Sequence, residues 1–240
     1  MSEIRTAIPE EIDKYLDSLV RTGPFASKAE LVRAALVSFA NTAGPLATGF
    51  DRENVVAPDG RIYQLEYARE GAMRGAPGVG VTYDKGVVLV GMIPTSSPLV
   101  RSVAKVHRMG DRLALMASGI MSDAHMLARH VHQAEPNSNR ELIDILVETY
   151  WEHAVSRTRR PLSTALLVGT ALEEEPKLLE FDPSGAWLDV SAAAVGSDHE
   201  RLREVLERKY RLGSAKDAEK LALETLGNPP VYDLAMVPVK

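Results

Sequence analysis

The sequence predicts an α+β protein in which two packed β-sheets lie between pairs of helices, with a small separate unit in front. Three observations carry this reading. β-rich runs occupy the middle of the chain, and helix-period segments flank them in pairs, an order that puts sheets inside and helices outside. Gly44-Pro45, followed by the small residues Ala47, Thr48 and Gly49, reads as a linker after the first forty-odd residues. A chain of 240 residues, 45 % hydrophobic and 25 % charged, has ordinary globular composition and can bury roughly 70–75 % of its unfolded surface.

In the front unit, Glu3 to Ile8 alternate as a short strand, with Ile4 and Ile8 on one side and Arg5 on the other. Pro9 suits the first turn of a helix, where its missing N–H is no loss. Ile12, Tyr15, Leu16, Leu19 and Val20 then recur at helical spacing and form one apolar stripe. Gly23-Pro24 ends that helix. Ser27 and Glu30 have the spacing of a capping box, and the second helix carries Leu31, Ala35, Leu36 and Phe39 on its expected buried side. So small a unit buries such a stripe poorly by itself and calls for a partner chain.

In the body, a helix follows Phe50, and the runs Gly78–Tyr83 and Lys85–Met92 join at Asp84-Lys85 as a tight hairpin. Arg112 to Ser118 is a third strand. Ser122 is read as the cap of a helix with Ala124, Leu127, Ala128 and Val131 inward, and a second helix over 138–157 buries Leu142, Ile145, Leu146 and Thr149. Strands follow at Ser163–Ala171, Lys177–Phe181 and Ala186–Ala193, with a turn at Asp182-Pro183-Ser184-Gly185. Ser197 with Glu200 reads as another capping box, opening a helix with Leu202, Val205 and Leu206 inside. A helix at 215–226 and a strand over Val231–Val239 complete the order.

Composition excludes several functions. With no cysteine there is no disulfide framework or thiolate metal site. No apolar run approaches the ~18 residues of a membrane span, and the opening MSEIRTAIPEEIDKY lacks the basic-then-apolar layout of a secretory signal. A cytoplasmic location is therefore expected. A net charge of −5 gives no general attraction for nucleic acid. His130 and His132 fall on different helical faces; His125 and His132 share a face without a third ligand, so no metal is expected. Gly75-Ala76-Pro77-Gly78-Val79-Gly80 opens a strand rather than a helix and is not a phosphate loop. No cofactor is implied.

The stretch FDRENVV followed by APDGRIYQLEYAREG, Phe50 to Gly71, resembles the amino-terminal signature of α-type proteasome subunits. FDPSGAW, AAAVGSDHERLREVLERKY and RPLSTALLVG are similar to later segments of the same family, so the resemblance covers about 50 to 239. It implies the four-layered αββα sandwich of the amino-terminal-nucleophile hydrolases. Active β-type relatives attack with an amino-terminal threonine whose own amine is the base. In this alignment Ala76 falls at that threonine and Met92 at the acidic partner. The family's lysine corresponds to Lys105, the sole lysine between Lys85 and Lys177. A methyl group cannot attack a carbonyl, so a non-catalytic subunit is expected.

The resemblance further implies a pocket for the C-terminal tail of an ATPase activator. Lys105 would anchor the tail carboxylate, Gly119 would let its backbone approach, and Glu66 would complete the pocket. Phe50, Asp51, Arg52, Pro58 and Tyr67 match the cluster that orders the gate over the pore. Phe50 replaces the usual tyrosine and loses its hydroxyl, and one residue fewer than expected separates Arg52 from Pro58. Residues 3 to about 41 resemble the ribbon-helix-helix dimerisation and DNA-binding module. This resemblance puts Glu3, Arg5 and Ala7 on the reading ribbon, with Ser27 and Lys28 at a phosphate. Six acids against five bases leave that unit at −1, a poor balance for DNA.

The expected domains are a pairing module over 1–43, a linker over 44–49 and a proteasome α-type domain over 50–240. Expected partners are identical copies, a β-type peptidase subunit and an ATPase activator, with DNA open for the front module and no membrane. The alternative is a dimeric regulator or assembly scaffold built on a catalytically dead proteasome-like domain.

Overall fold

The computed structural model describes residues 8–23, 25–37, 52–94, 99 and 104–239. The chain divides into two compact units, Met1–Asp51 and Arg52–Lys240. The expected strand before Ile8, the linker, and Arg5, Phe39, Phe50 and Asp51 lie outside the described residues.

In the first unit α1 spans Glu10–Thr22, with Pro9 at its start, and Gly23 closes it by donating its N–H to the Leu19 carbonyl at 2.8 Å. A second helix, α2, covers residues 28–37. Ser27 Oγ accepts the Glu30 amide at 3.2 Å as expected, but the Glu30 carboxylate takes the Ala26 amide, at 2.8 Å, rather than that of Ser27. The stripes are poorly buried, as expected of so small a unit. Leu31 is covered, while Ile12, Tyr15, Leu36 and Val37 are at least half exposed and Ala35 is also exposed. Two short helices have too little facing surface to cover both stripes.

The second unit contains two antiparallel sheets. Helix α3, Tyr63–Met73, leads to the hairpin β1 (Gly78–Tyr83) and β2 (Gly86–Met92), where Tyr83 pairs with Gly86 across the two-residue turn. Next come β3 (Val106–Met109), β4 (Leu113–Gly119), α4 (Met121–Ala134) and α5 (Asn139–Ala154). The chain continues through β5 (Thr164–Thr170), β6 (Lys177–Phe181), β7 (Trp187–Val190) and β8 (Ala192–Val195), then α6 (His199–Lys209), α7 (Ala215–Thr225) and β9 (Tyr232–Pro238). One sheet has the order β8-β1-β2-β9, the other β3-β4-β5-β6-β7.

Side chains alternate across a strand, and three apolar clusters follow from that alternation. Val87 and Leu89 of β2 meet Met116 of β4 and Leu167 of β5 between the sheets. Val88 and Val90 of β2 pack on the other side with Leu202 and Leu206 of α6 and Ala222 of α7. Leu113, Leu115 and Ala117 of β4 pack with Leu127 of α4 and Leu146 of α5. Strands buried on both faces read as continuous apolar runs, which is why β2, β4 and β5 stand out in the sequence.

Four local expectations are corrected. Strand β3 was not anticipated. The run Ala186–Ala193 is two strands in different sheets: β7 pairs with β6, β8 pairs with β1, and the chain crosses at Ser191. The Ser191 carbonyl accepts both the amide and the hydroxyl of Thr82 at 2.9 Å, which fixes the crossing. Ser122 lies inside α4, whose cap is Ile120, and Ser197 does not cap α6, whose cap is Asp198. The Ser197 amide instead serves the Gly75 carbonyl, at 2.8 Å. Finally, a capping box does form at Ser214 and Asp217.

Candidate functional site

The approach to β1 is where the predicted chemistry converges. Helix α3 stops at Met73, and Arg74-Gly75-Ala76-Pro77 carries the chain into the first sheet. Side-chain donors and amides hold this segment through its carbonyls. Gly75 O takes the Ser197 amide, and Ala76 O takes Ser118 Oγ at 3.2 Å together with the Lys105 ammonium. Pro77 O takes Lys105 Nζ at 3.2 Å and the Met92 amide at 3.0 Å. Ser118 Oγ also reaches Ala72 O, at 3.1 Å. Ala76, the residue expected at the nucleophile's place, contributes a methyl group.

Glycines make this closeness possible. A Cβ on Gly75 would collide with the Gly119 amide, and one on Gly119 would collide with the Ser163 carbonyl. Gly119 also sits at φ +118, a conformation that L side chains rarely adopt. A Cβ on Gly91 would press on the Lys105 stem at 2.8 Å, so the flat face of β2 is the bed on which that lysine lies.

Lys105 is only 4 % exposed. Burial pushes its amine down from the ordinary 10.5 to about 8, because desolvation disfavours the charged form. Its own backbone is fixed from β9, where Asp233 Oδ2 accepts the amides of Lys105 at 3.2 Å and Val106 at 3.0 Å. Sequence reasoning missed Asp233 and Ser118. A lone acid in the otherwise apolar closing strand was the available signal for the first.

Of the three expected tail-pocket residues, Lys105 and Gly119 meet around residues 75–77. Glu66 points elsewhere: it accepts Arg69 Nη1 at 3.0 Å, and Arg69 also reaches Asp182 at 3.0 Å. Glu66 and Arg69 line a cleft of about 240 Å³ with Glu180, Asp182, His199 and Arg203, a cleft that neither Lys105 nor Gly119 lines. The Arg203 guanidinium pairs there with Glu180, whose carboxyl burial pushes up.

Among the expected gate residues, Arg52 and Tyr67 are exposed and Pro58 begins a tight turn. Gly60, at φ +84, donates to Ala57 O at 2.8 Å, and Ala57 donates to Arg61 O at 2.7 Å. Pro58 and Gly60 are the residues such a turn requires. Asp59 accepts the Tyr63 hydroxyl, and that bond holds its carboxyl below the usual range. Just before the turn, the Asn54 amide caps the end of α5, donating to Ser156 O at 2.5 Å with His153 O and Arg159 O nearby.

At the expected phosphate contact, the Lys28 ammonium is already held by Asp13 at 2.7 Å and Asp17 at 2.9 Å. Those two hydrogen bonds raise its pKa and cancel the charge a phosphate would seek. Among the described residues no three His, Asp or Glu side chains are gathered to hold a metal ion, and no helix is long and apolar enough to cross a membrane.

Two antiparallel sheets covered by helices, with a carbonyl-held entry into the first strand, define the body as an α+β domain of the two-sheet kind. A family model described as proteasome subunit matches residues 72–228, and the chain belongs to that family. It is 38 % identical over 184 residues to a proteasome subunit alpha of Halobacterium salinarum, covering 72 % of this chain and 73 % of the relative. Proteasome alpha subunits of Methanosarcina mazei, 36 % identical over 199 residues, and Thermococcus sibiricus, 33 % over 215, cover 78 % and 82 % of both chains respectively.

Proposed function

We propose that this chain is a non-catalytic α-type proteasome subunit on the four-layered αββα fold. Its ring would gate entry to a β-type peptidase chamber and dock an ATPase activator. The observation that carries the reading is Ala76, a methyl at the nucleophile's place whose carbonyl is engaged by Lys105 and Ser118. The relatives named alpha subunits, and the sheet–sheet cluster with helix-side clusters on either face, support it.

In this reading the tail carboxylate displaces the Ala76 and Pro77 carbonyls from the Lys105 ammonium, while Arg52, Pro58 and Tyr67 belong to the gate with Phe50 and Asp51. The test is the mass of the purified protein with a β-type partner, followed by peptidase activity with and without an activator tail peptide. A seven-membered ring with tail-dependent activity that Lys105→Ala abolishes is expected. An unchanged response in that variant removes the docking role, and unaided peptidase activity removes the whole reading.

One observation favours a second reading, a dimeric scaffold or regulator. Ile12, Tyr15, Leu36 and Val37 of the front unit are at least half exposed and would be covered by a second copy, as in a ribbon-helix-helix pair. The engaged Lys28 argues for pairing without DNA. A dimer by sedimentation, reduced to monomer by Tyr15→Asp, supports this reading, and a heptamer unaffected by that change removes it. A two-fold module also cannot satisfy an odd-numbered ring completely, so the two readings predict different masses.

A further inference from the structure

Strand β3 and helix α4 face each other across a cleft of about 340 Å³. Five of its seven lining residues are Arg or His, and none is a carboxylate. His107 and Arg108 come from β3. His125, Arg129 and His132 come from α4, at spacings of four and seven that put them on one face. The His107 and His125 rings meet edge to face at 5.1 Å and 90°. His107 Nε2 is buried with no hydrogen-bond partner among the described residues.

A buried nitrogen without a partner is uncommon and calls for an explanation, of which a bound ion is one. The lining decides which kind. Two guanidinium groups repel a metal cation, whereas guanidinium and imidazolium donors suit an oxyanion. The Arg108 guanidinium donates to the neutral Leu234 carbonyl and so keeps its charge. The attraction is local, because the whole chain carries −5. We propose that the β3–α4 cleft is a binding site for a phosphate-type oxyanion, held by Arg129 with the imidazoles of His107 and His125.

The groups facing His107 predict how pH acts on the site. Burial and the neighbouring His125 hold its imidazole below the ordinary range, and only Asp233, behind it on β9, opposes them. Asp233 is itself engaged by the amides of Lys105 and Val106. Arg108 and Arg129 add further positive charge on the cleft side. An arriving anion supplies the missing counter-charge, so a proton from solvent is taken up with it and binding tightens as pH falls.

The experiment is a thermal-shift and calorimetric titration of the full chain at fixed ionic strength. Sulfate, a phosphate-shaped dianion whose charge is constant over this range, tests the pH dependence at pH 6.0 and 7.5. Pyrophosphate against citrate tests the chemical class at pH 7.5. Saturable binding of sulfate is expected, tighter at pH 6.0 by up to about tenfold per proton taken up per unit. Arg129→Gln and His125→Gln, both at exposed positions, should each weaken it roughly tenfold. No saturable binding at pH 6.0, tighter binding at pH 7.5, or wild-type affinity in Arg129→Gln overturns the proposal. Citrate binding as tightly as pyrophosphate overturns the phosphate assignment.

Discussion

Replacing Lys105 by methionine separates two effects that the structure sets against each other. The ammonium has three N–H donors, yet the contacts it makes are to two carbonyls, Ala76 O and Pro77 O. A neutral amine, with two N–H groups, matches that pair of acceptors. The fall from 10.5 to about 8 corresponds to roughly 3 kcal/mol at about 1.4 kcal/mol per unit. Methionine removes that desolvation burden, and both carbonyls keep another donor, Ser118 Oγ and the Met92 amide. At pH 7 the variant is therefore expected within about 1–2 kcal/mol of the parent.

The sign with pH follows from proton counting. Between about 8 and 10.5 the unfolded lysine holds a proton that the folded one has released, so the parent gains stability as pH rises. Below that window both states are charged and the difference is flat. Urea unfolding of both proteins at pH 7, 8.5 and 10 should show the parent's relative stability climbing by roughly 2.5 kcal/mol at the last point. A difference that does not change with pH would refute the buried, carbonyl-bound amine. So would a loss above about 4 kcal/mol at pH 7, because it would mean that the charge itself is essential.

Three further outcomes test the frame around the site. Gly119→Ala should lower stability by about 3 kcal/mol or prevent folding, since φ +118 and the Ser163 carbonyl both oppose a Cβ; a melting temperature within two degrees of the parent would contradict the packing. Asp123→Ala should lose about 2–3 kcal/mol by urea unfolding. It removes the two-pronged contact to Arg160 at 2.7 and 2.8 Å and the acceptor for the Ser163 amide at 2.9 Å, with the upper limit set by the half-exposed arginine. Ser214→Ala should lose about 1 kcal/mol, and hydrogen exchange should speed up in the first turn of α7 ahead of the sheets. Uniform acceleration would say that this cap is not local.

The parts legible in the sequence were those where local chemistry and tertiary structure agree. Strands β2, β4 and β5 are buried on both faces, so apolar runs marked them without ambiguity. Strand β3 was not legible, because Val106-His107-Arg108-Met109 lies at a sheet edge with three of its four residues lining the basic cleft, leaving no apolar alternation to detect. The break at Ser191 was hidden because β7 and β8 have continuous strand character and only pairing partners divide them. Ser197 looked like a cap, but Gly196 at φ +91 and Asp198 at φ +58 turn the chain so that its amide faces Gly75.

The candidate site shows a comparable division. The family resemblance pointed to Ala76, Met92, Lys105 and Gly119, yet not to what Lys105 does in the folded chain. A lysine with an acid beside it would have kept its charge by pairing. With a thioether at 92 and a methyl at 76, that option is gone, and the ammonium turns to the carbonyls of the segment that leads into β1. Asp233 does not restore the pair, since its Oδ2 is taken by the amides of Lys105 and Val106. The amine fastens the start of the first sheet to the glycine-walled gap beside Gly119, and any carboxylate that reaches it must compete with Ala76 O and Pro77 O.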